Sequence, residues 1–469
     1  MTDRRKEKNQ TDKTKKRTVT IVIEVANREL DNALLLKEEL LRRGYAVSVM
    51  SKTEELRDTV TDILVTPNCY IKPDYEYYRY RFNCPSGMLV NLQYEQVISP
   101  IEEDNALYSL DPTTKRITHI CWGRHTVDRL TGKGVPAGNL PVTGAIQLDT
   151  TRTQFNSCWK SREEIAGEFG LDPEKKWILY ISSFATSSGG LINMVQKYTH
   201  TEDNVERFSR ITDQAQKETL DWFDRFLSAP ENRTYTVIYR PHPVELSSPL
   251  VQAMKEKYPE SFRVIQDYEI KQWLRVADLP CTWMSTAIAE SYFSGKNCLV
   301  LRPCEIPQDV DCVLYRNVRA AETYEEFRKA VEQYRPETAY FPIDRDLIEY
   351  YYDFAPEPAY GKIADVIDRQ QPRITDTENF AKERSAYIRE NRLRSKLLIK
   401  KLYRAWYRAT GKKLRNKKLR SRFFIEEWEK TVDNRINLAE TIERKERLFR
   451  GIVEAAGQNR NGKTGPQRE

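Results

Sequence analysis

Tyr235-Thr236-Val237-Ile238-Tyr239-Arg240-Pro241-His242-Pro243 is the stretch that decides the fold. Its β-branched first half reads as a strand, and its second half as a turn stiffened by two prolines that fix φ on either side of His242. Downstream, Cys281-Thr282-Trp283 reads as a shorter strand leading into Ser285-Thr286-Ala287-Ile288-Ala289-Glu290, where an apolar, helix-favouring segment opens. In a parallel α/β sheet both turns fall at the carboxyl ends of strands, where ligands bind. Ser285 is a good N-cap, and the free N–H groups behind it favour an anion such as a phosphate. Thr286 and Glu290 stand one helical turn apart, so a hydroxyl and a carboxylate can meet a phosphate and a ribose together. The plainer alternative is a rigid surface turn followed by an ordinary helix cap.

Strands and helices alternate on both sides of this stretch. Residues 19–25 form a β-branched run, Asp31 is placed to cap an apolar helix, Gly44 stops it, and 46–49 is the next strand. Further strands are predicted at 63–65, 88–92 and 119–122, with a helix over 125–130. After a crossover at 150–175 the alternation resumes with strands at 177–183, 262–265 and 298–301, and a last helix at 361–369 can return to the first unit. The pattern predicts an α/β fold of two Rossmann-like, doubly wound parallel-sheet domains facing a cleft. The expected boundaries are a disordered basic tail at 1–17, domains at 18–150 and 151–372, a basic helical extension at 373–456 and a disordered tail at 457–469.

The 469 residues are 39% hydrophobic and 31% charged, with no apolar run of membrane-spanning length and no signal-peptide pattern at the start. Eight cysteines lack any Cys-x-x-Cys pair and there are only four histidines, so reduced thiols in a cytoplasmic protein are expected and a zinc or redox site is not. The net charge of +7 hides a segregation: residues 1–17 carry +5 and residues 391–422 carry +14 with no acid, which leaves 7 − 19 = −12 for the rest. That pattern suggests an acidic catalytic body tethered to a polyanion by one basic module.

The two motifs together resemble the donor-side signature of GT-B-fold enzymes. These include CDP-glycerol glycerophosphotransferases of teichoic-acid synthesis, bacterial polysialyltransferases, and surface or capsular carbohydrate biosynthesis proteins. The second motif is also similar to that of UDP-N-acetylglucosamine 2-epimerase. Val22-Ile23-Glu24-Val25-Ala26-Asn27-Arg28-Glu29-Leu30-Asp31, Asn91-Leu92-Gln93-Tyr94-Glu95-Gln96, Pro141-Val142-Thr143-Gly144 with Asp149, and Ile178-Leu179-Tyr180-Ile181-Ser182-Ser183-Phe184 extend the resemblance over residues 18–370.

The resemblance implies a transferase that moves a glycosyl or glycerophosphoryl group from a nucleotide-activated donor (CMP-, CDP- or UDP-linked) to a lipid-linked or polysaccharide acceptor. Residues 18–150 would be the acceptor domain and 151–372 the donor domain. Such chemistry needs leaving-group charge stabilised, an acceptor hydroxyl deprotonated and two substrates aligned. For the first we nominate Arg240, His242, Ser285 and Thr286, with Glu290 on the ribose hydroxyls. Ser183, in a Ser/Thr/Gly-rich loop at 182–190, contacts phosphate unless the loop is simply a turn. The general base is sought across the cleft. Glu29, Asp31, Glu95 and His125 all follow predicted strands, but Asp31 has a capping role to fill and Glu29 an Arg28 to pair with. Glu95 comes first because it matches the family pattern, and His125 second. GT-B transferases rely on helix dipoles and basic side chains, so no metal and no cofactor is expected. A UDP-sugar 2-epimerase on the same fold and a non-catalytic assembly factor are the alternatives.

The tyrosine-rich stretch from Tyr70 to Tyr80 could stack on sugars, meet a lipid-linked acceptor, or pack its own rings. In the extension, Leu398, Ile399, Leu402, Tyr403 and Trp406 gather on one side of a helix whose other side carries Lys396, Lys400, Lys401, Arg404 and Arg408. A basic amphipathic helix with interfacial Trp and Tyr suits an anionic membrane surface, here through 391–422, rather than nucleic acid. It places the protein peripherally on the inner face of the cell membrane and makes everything after residue 372 dispensable for nucleotide binding. Packing of the stripe on the catalytic body is the alternative.

Overall fold

In the computed structural model the two halves of the chain are each built on a parallel five-stranded sheet. The structure describes residues 16–52, 56–94, 99–100, 109–184, 202–242, 245, 248–316, 318–335, 343–372, 376–411 and 438–462. Strands β1 (Thr18–Ile23), β2 (Ala46–Ser51), β3 (Ile63–Thr66), β4 (Leu89–Asn91) and β5 (Thr118–His119) pair in the order β2-β1-β3-β4-β5. Helices α1 (Ala26–Arg42), α2 (Lys72–Arg81) and α3 (Arg124–Gly132) accompany them. In the second half β6 (Lys176–Ile181), β7 (Tyr235–Arg240), β8 (Phe262–Val264), β9 (Leu279–Thr282) and β10 (Leu299–Val300) pair in the order β10-β9-β6-β7-β8. Its helices are α4 (Arg162–Phe169), α5 (Glu202–Ser228), α6 (Pro249–Lys257), α7 (Ile270–Val276), α8 (Ala287–Phe293) and α9 (Tyr324–Gln333). Each sheet is wound outward in both directions from its first strand, so each has a topological switch point, between β1 and β3 and between β6 and β9. The fold is α/β, with the GT-B-like pair of doubly wound sheets expected from the sequence.

The halves share apolar packing. Ile288 and Ala289 of α8, with Val313 and Leu314, belong to the same buried cluster as Val19, Leu35, Leu92 and Trp122 of the first half. The chain then returns to the first half through α10 (Arg345–Tyr351) and α11 (Ala359–Arg369), whose Ile363, Ala364 and Ile367 are buried in that cluster. Two tight backbone approaches hold the return: a Cβ on Gly144, at φ +81°, would stand 2.3 Å from the Asp353 carbonyl oxygen, and one on Gly123 2.5 Å from that of Tyr351. Asp149 accepts the Ala359 and Tyr360 N–H groups at 2.9 and 2.8 Å. The Gly144 and Asp149 motif therefore anchors the first turn of α11.

The extension contributes α12 (Thr377–Glu390), α13 (Leu393–Thr410) and α14 (Leu438–Gly462). Tyr80 of α2 stacks on Phe380 and packs against Tyr387, so the tyrosine-rich stretch is a helix whose rings hold α12. Helix α14 packs along α1, burying Phe449 and Val453 in the first-half core. Among the described residues no helix is long and apolar enough to cross a membrane.

Asp31 is not a helix cap. Helix α1 begins five residues earlier, because Ala26 to Glu29 are helix-compatible directly after the extended Val25. Glu29 takes the terminal role, accepting the Glu24 N–H at 2.6 Å. Asp31 thereby falls inside the helix, and is 2% exposed.

Candidate active site between the two sheets

The carboxyl end of β7 is built by three side chains. Arg240, buried at the strand's last position, donates to the carbonyl oxygens of Gln266 (2.9 Å), Asp267 (2.8 Å) and Tyr268. A guanidinium fork suits several carbonyls at once. Burial pulls its pKa down to about 10, with Asp267 and Glu269 opposing. The fork therefore shapes the 266–268 loop, where Tyr268 sits at φ +63°, and the phosphate-binding role expected of Arg240 is corrected to a positioning one.

His242 follows, half-buried, with its backbone clamped on both sides. Its N–H donates to Glu245 Oε2 at 3.0 Å, and its carbonyl accepts from Glu245 N at 2.9 Å and Gln266 Nε2 at 3.0 Å. Glu245 is itself buried and accepts from Ser182 Oγ (2.5 Å), Tyr239 OH (2.6 Å) and Gln216 Nε2 (3.3 Å). Burial pushes its carboxyl above the usual range against these hydrogen bonds. Sequence reasoning missed Glu245. The available signal was an acid three residues past His242 in an otherwise apolar turn.

At the β6/β9 switch point stand Ser183 and Ser285. Ser183 Oγ is buried and has no hydrogen-bond partner among the described residues. Ser285 Oγ accepts from Ala287 N at 3.2 Å and its carbonyl accepts from Tyr315 OH at 2.6 Å, while the N-cap position expected for Ser285 falls to Thr286, whose side chain makes no capping hydrogen bond. Thr286 is exposed. Glu290, half-buried in the first turn of α8, has its pKa raised by burial, with Lys271 and Arg28 opposing.

Arg28 belongs to the other half, and with it the halves face each other. Asn27 Nδ2 reaches the Gln266 carbonyl at 3.3 Å, joining the first turn of α1 to the loop that Arg240 shapes. Lys271, 4% exposed, bridges Glu269 Oε2 and the Gln147 carbonyl, both at 2.8 Å. Asp31 accepts Lys445 Nζ of α14 on both oxygens at 2.5 Å. Glu29 is fully buried and paired with Arg28 at 2.7 Å. Tyr94, buried after β4, lies within electrostatic reach of Glu29 and Glu269. Charged side chains from α1, the start of α7, α8 and α14, with Tyr94 after β4, thus meet in one largely buried group between the sheets.

The nominated bases fare differently. Glu95 lies outside the described residues, as do Pro243 and loop positions 185–190. His125 stacks face to face on Tyr351 at 4.0 Å and edge-on to Tyr350 at 5.6 Å. Burial, aided by Arg129, lowers its pKa to about 4. A neutral ring packed beneath α10 is a structural contact, so His125 is corrected from a base to a packing residue. Among the described residues no group of three or more His, Cys, Asp or Glu is disposed to hold a metal.

Glu269 makes the cluster pH-sensitive. Burial and the nearby Asp31 raise its pKa from 4.5 to about 7, with Lys271 and Lys445 opposing. The folded chain thus keeps a proton that the unfolded chain releases, so this group's contribution to stability is present below pH 4.5 and is lost as pH rises to 7. One proton gives a slope of at most about 1.4 kcal/mol per pH unit. Urea midpoints measured across that window should fall with rising pH, and Glu269→Gln should flatten the fall. Identical slopes in the two proteins would disprove the assignment.

No protein-family model and no curated protein sequence matches the chain. Among solved structures, it is similar to the UDP-GlcNAc 2-epimerase from Neisseria meningitidis bound to UDP-GlcNAc, at 10% identity and TM-score 0.46 over 75% of this chain and 100% of that one. It is similar to the wall teichoic acid polymerase TagF soaked with CDPG, at 11% identity and TM-score 0.44 over 76% and 88% of the two chains. A glycosyltransferase from Rickettsia africae gives 10% identity and TM-score 0.41 over 76% and 100%. Likenesses this distant carry no weight in assigning an activity.

Proposed function

We propose that the chain is a transferase that moves a glycosyl or glycerophosphoryl group from a CMP-, CDP- or UDP-linked donor to a hydroxyl of a lipid-linked or polysaccharide acceptor. The observation that carries this reading is the clamp on His242. A buried carboxylate and Gln266 hold it at the carboxyl end of β7, in the loop system that touches the first turn of α1. In that position the imidazole stabilises charge developing on the donor phosphates, and Ser183, whose hydroxyl is otherwise unengaged among the described residues, supplies a further donor. Glu290 accepts from the ribose. Glu95, next in sequence to Tyr94, remains the nominee for general base. We place the protein peripherally at the cytoplasmic face of a membrane, where a lipid-linked acceptor is presented.

Titration calorimetry with CMP, CDP, UDP and GDP tests the donor site. Binding of a pyrimidine nucleoside diphosphate at least tenfold tighter than GDP is the expected outcome. No binding of any of the four would leave a non-catalytic assembly factor. UDP binding with sugar epimerised and none transferred would favour the 2-epimerase.

A further inference from the structure

Helix α13 divides its apolar residues between two faces. Leu393 and Tyr403 are buried at 8% and 9% exposure, and Tyr403 stacks on Tyr407. Leu398, Ile399, Leu402 and Trp406 point outward, at 59%, 40%, 62% and 40% exposure. At about 100° of turn per residue these four fall within a single arc of roughly 100° on the helix surface. One flank is basic, with Arg394 and Lys401 beside the arc, and the helix carries six Lys or Arg and no acid. The helix reaches the first half through α12, which docks on α2 by way of Tyr80, Phe380 and Tyr387. This apolar arc is therefore displayed by a helix that joins the first half through α12.

We propose that this outward face of α13 is the surface by which the protein docks on an anionic lipid bilayer, lying in the interfacial plane. The inference rests on the peripheral placement proposed above and identifies the surface that achieves it. Charge selects the occupant. Two copies of this face meeting each other would set the Arg394 and Lys401 charges against their own copies, whereas anionic headgroups complement them. Leu398 and Leu402 supply the apolar insertion, and Trp406 has the amphipathic ring that settles at headgroup depth. The interfacial helix needs no membrane-spanning length.

The test is co-sedimentation of the full chain with vesicles of equimolar phosphatidylcholine and phosphatidylglycerol, and with phosphatidylcholine alone. The protein is expected on the mixed vesicles, at least tenfold more weakly on the neutral ones, and released as salt is raised. The pair Leu398→Gln and Leu402→Gln, which keeps every charge, and the pair Lys396→Glu and Lys401→Glu, which keeps the apolar arc, should each lower partitioning at least tenfold. Both pairs should leave the melting temperature and nucleotide binding unchanged, because these side chains are exposed. Vesicle binding as tight in both pairs as in the parent overturns the proposal. So does a large melting-temperature loss in the leucine pair, which would put the arc in a protein interface, or a parent dimer that this pair makes monomeric. Vesicle binding without nucleotide binding would instead sink the donor-site reading and leave the docking surface standing.

Discussion

His242→Ala is expected to lower turnover about 100-fold or more while leaving the melting temperature within a degree or two, the signature of a lost electrostatic or acid-base contributor. Arg240→Ala, two residues earlier at the end of β7, is expected to do the opposite first and destabilise the region. The sequence suggested equal roles for the two residues. The structure separates them, because the Arg240 fork donates to three carbonyls of the 266–268 loop whereas the His242 ring is carried on a clamped backbone. Removing the fork leaves the Gln266 and Asp267 carbonyls with Asn27 Nδ2 and Trp273 Nε1 but strands that of Tyr268, at about 1–3 kcal/mol before any relaxation. Urea denaturation run beside an activity assay separates the outcomes. An Arg240→Ala protein of parental stability, or a His242→Ala protein of normal turnover, would undo the corresponding assignment.

The second large effect concerns α14. Phe449 is 1% exposed, sits edge-on to Phe155 at 6.1 Å and shares the first-half core with Val453. Phe449→Ala is therefore expected to cost about 3–5 kcal/mol, as for other fully buried phenylalanines. Ending the chain at residue 372 removes both side chains, together with the Lys37–Glu446 and Arg450–Glu38 ion pairs and the Lys445 cation that faces Asp31. Two buried carboxylates, Asp31 and Glu269, would then confront each other with one cation fewer. The expectation that everything after 372 is dispensable for nucleotide binding does not survive this packing. A truncated protein should melt far below the full chain, and a loss under about 1 kcal/mol would show that α14 merely rests on the surface. The surface proposed for docking and the packing that anchors the extension thus lie in different helices, α13 and α14.

The alternation of β-branched runs with apolar helical segments was enough to place both sheets, because strand and helix periodicities are local properties of the chain. The same locality put His242 after β7 and Ser285 and Glu290 around the start of α8. What a side chain does at such a place is decided elsewhere. The carbonyls that occupy Arg240 lie 26 to 28 residues away, and the lysine that pairs with Asp31 lies 414 residues away. His125 was misread for that reason, since stacking on the distant Tyr351 buries its ring, whereas Asp31 was misread locally, because α1 begins five residues before it.

The amphipathic stripe of α13 shows the division most plainly. Sequence by itself determined that this helix has an apolar side and a basic side, since spacing alone assigns residues to faces. Which apolar residues turn inward with Tyr403 and which remain in water with Leu402 was decided only by the tertiary structure, because burial depends on what the rest of the chain brings alongside the helix.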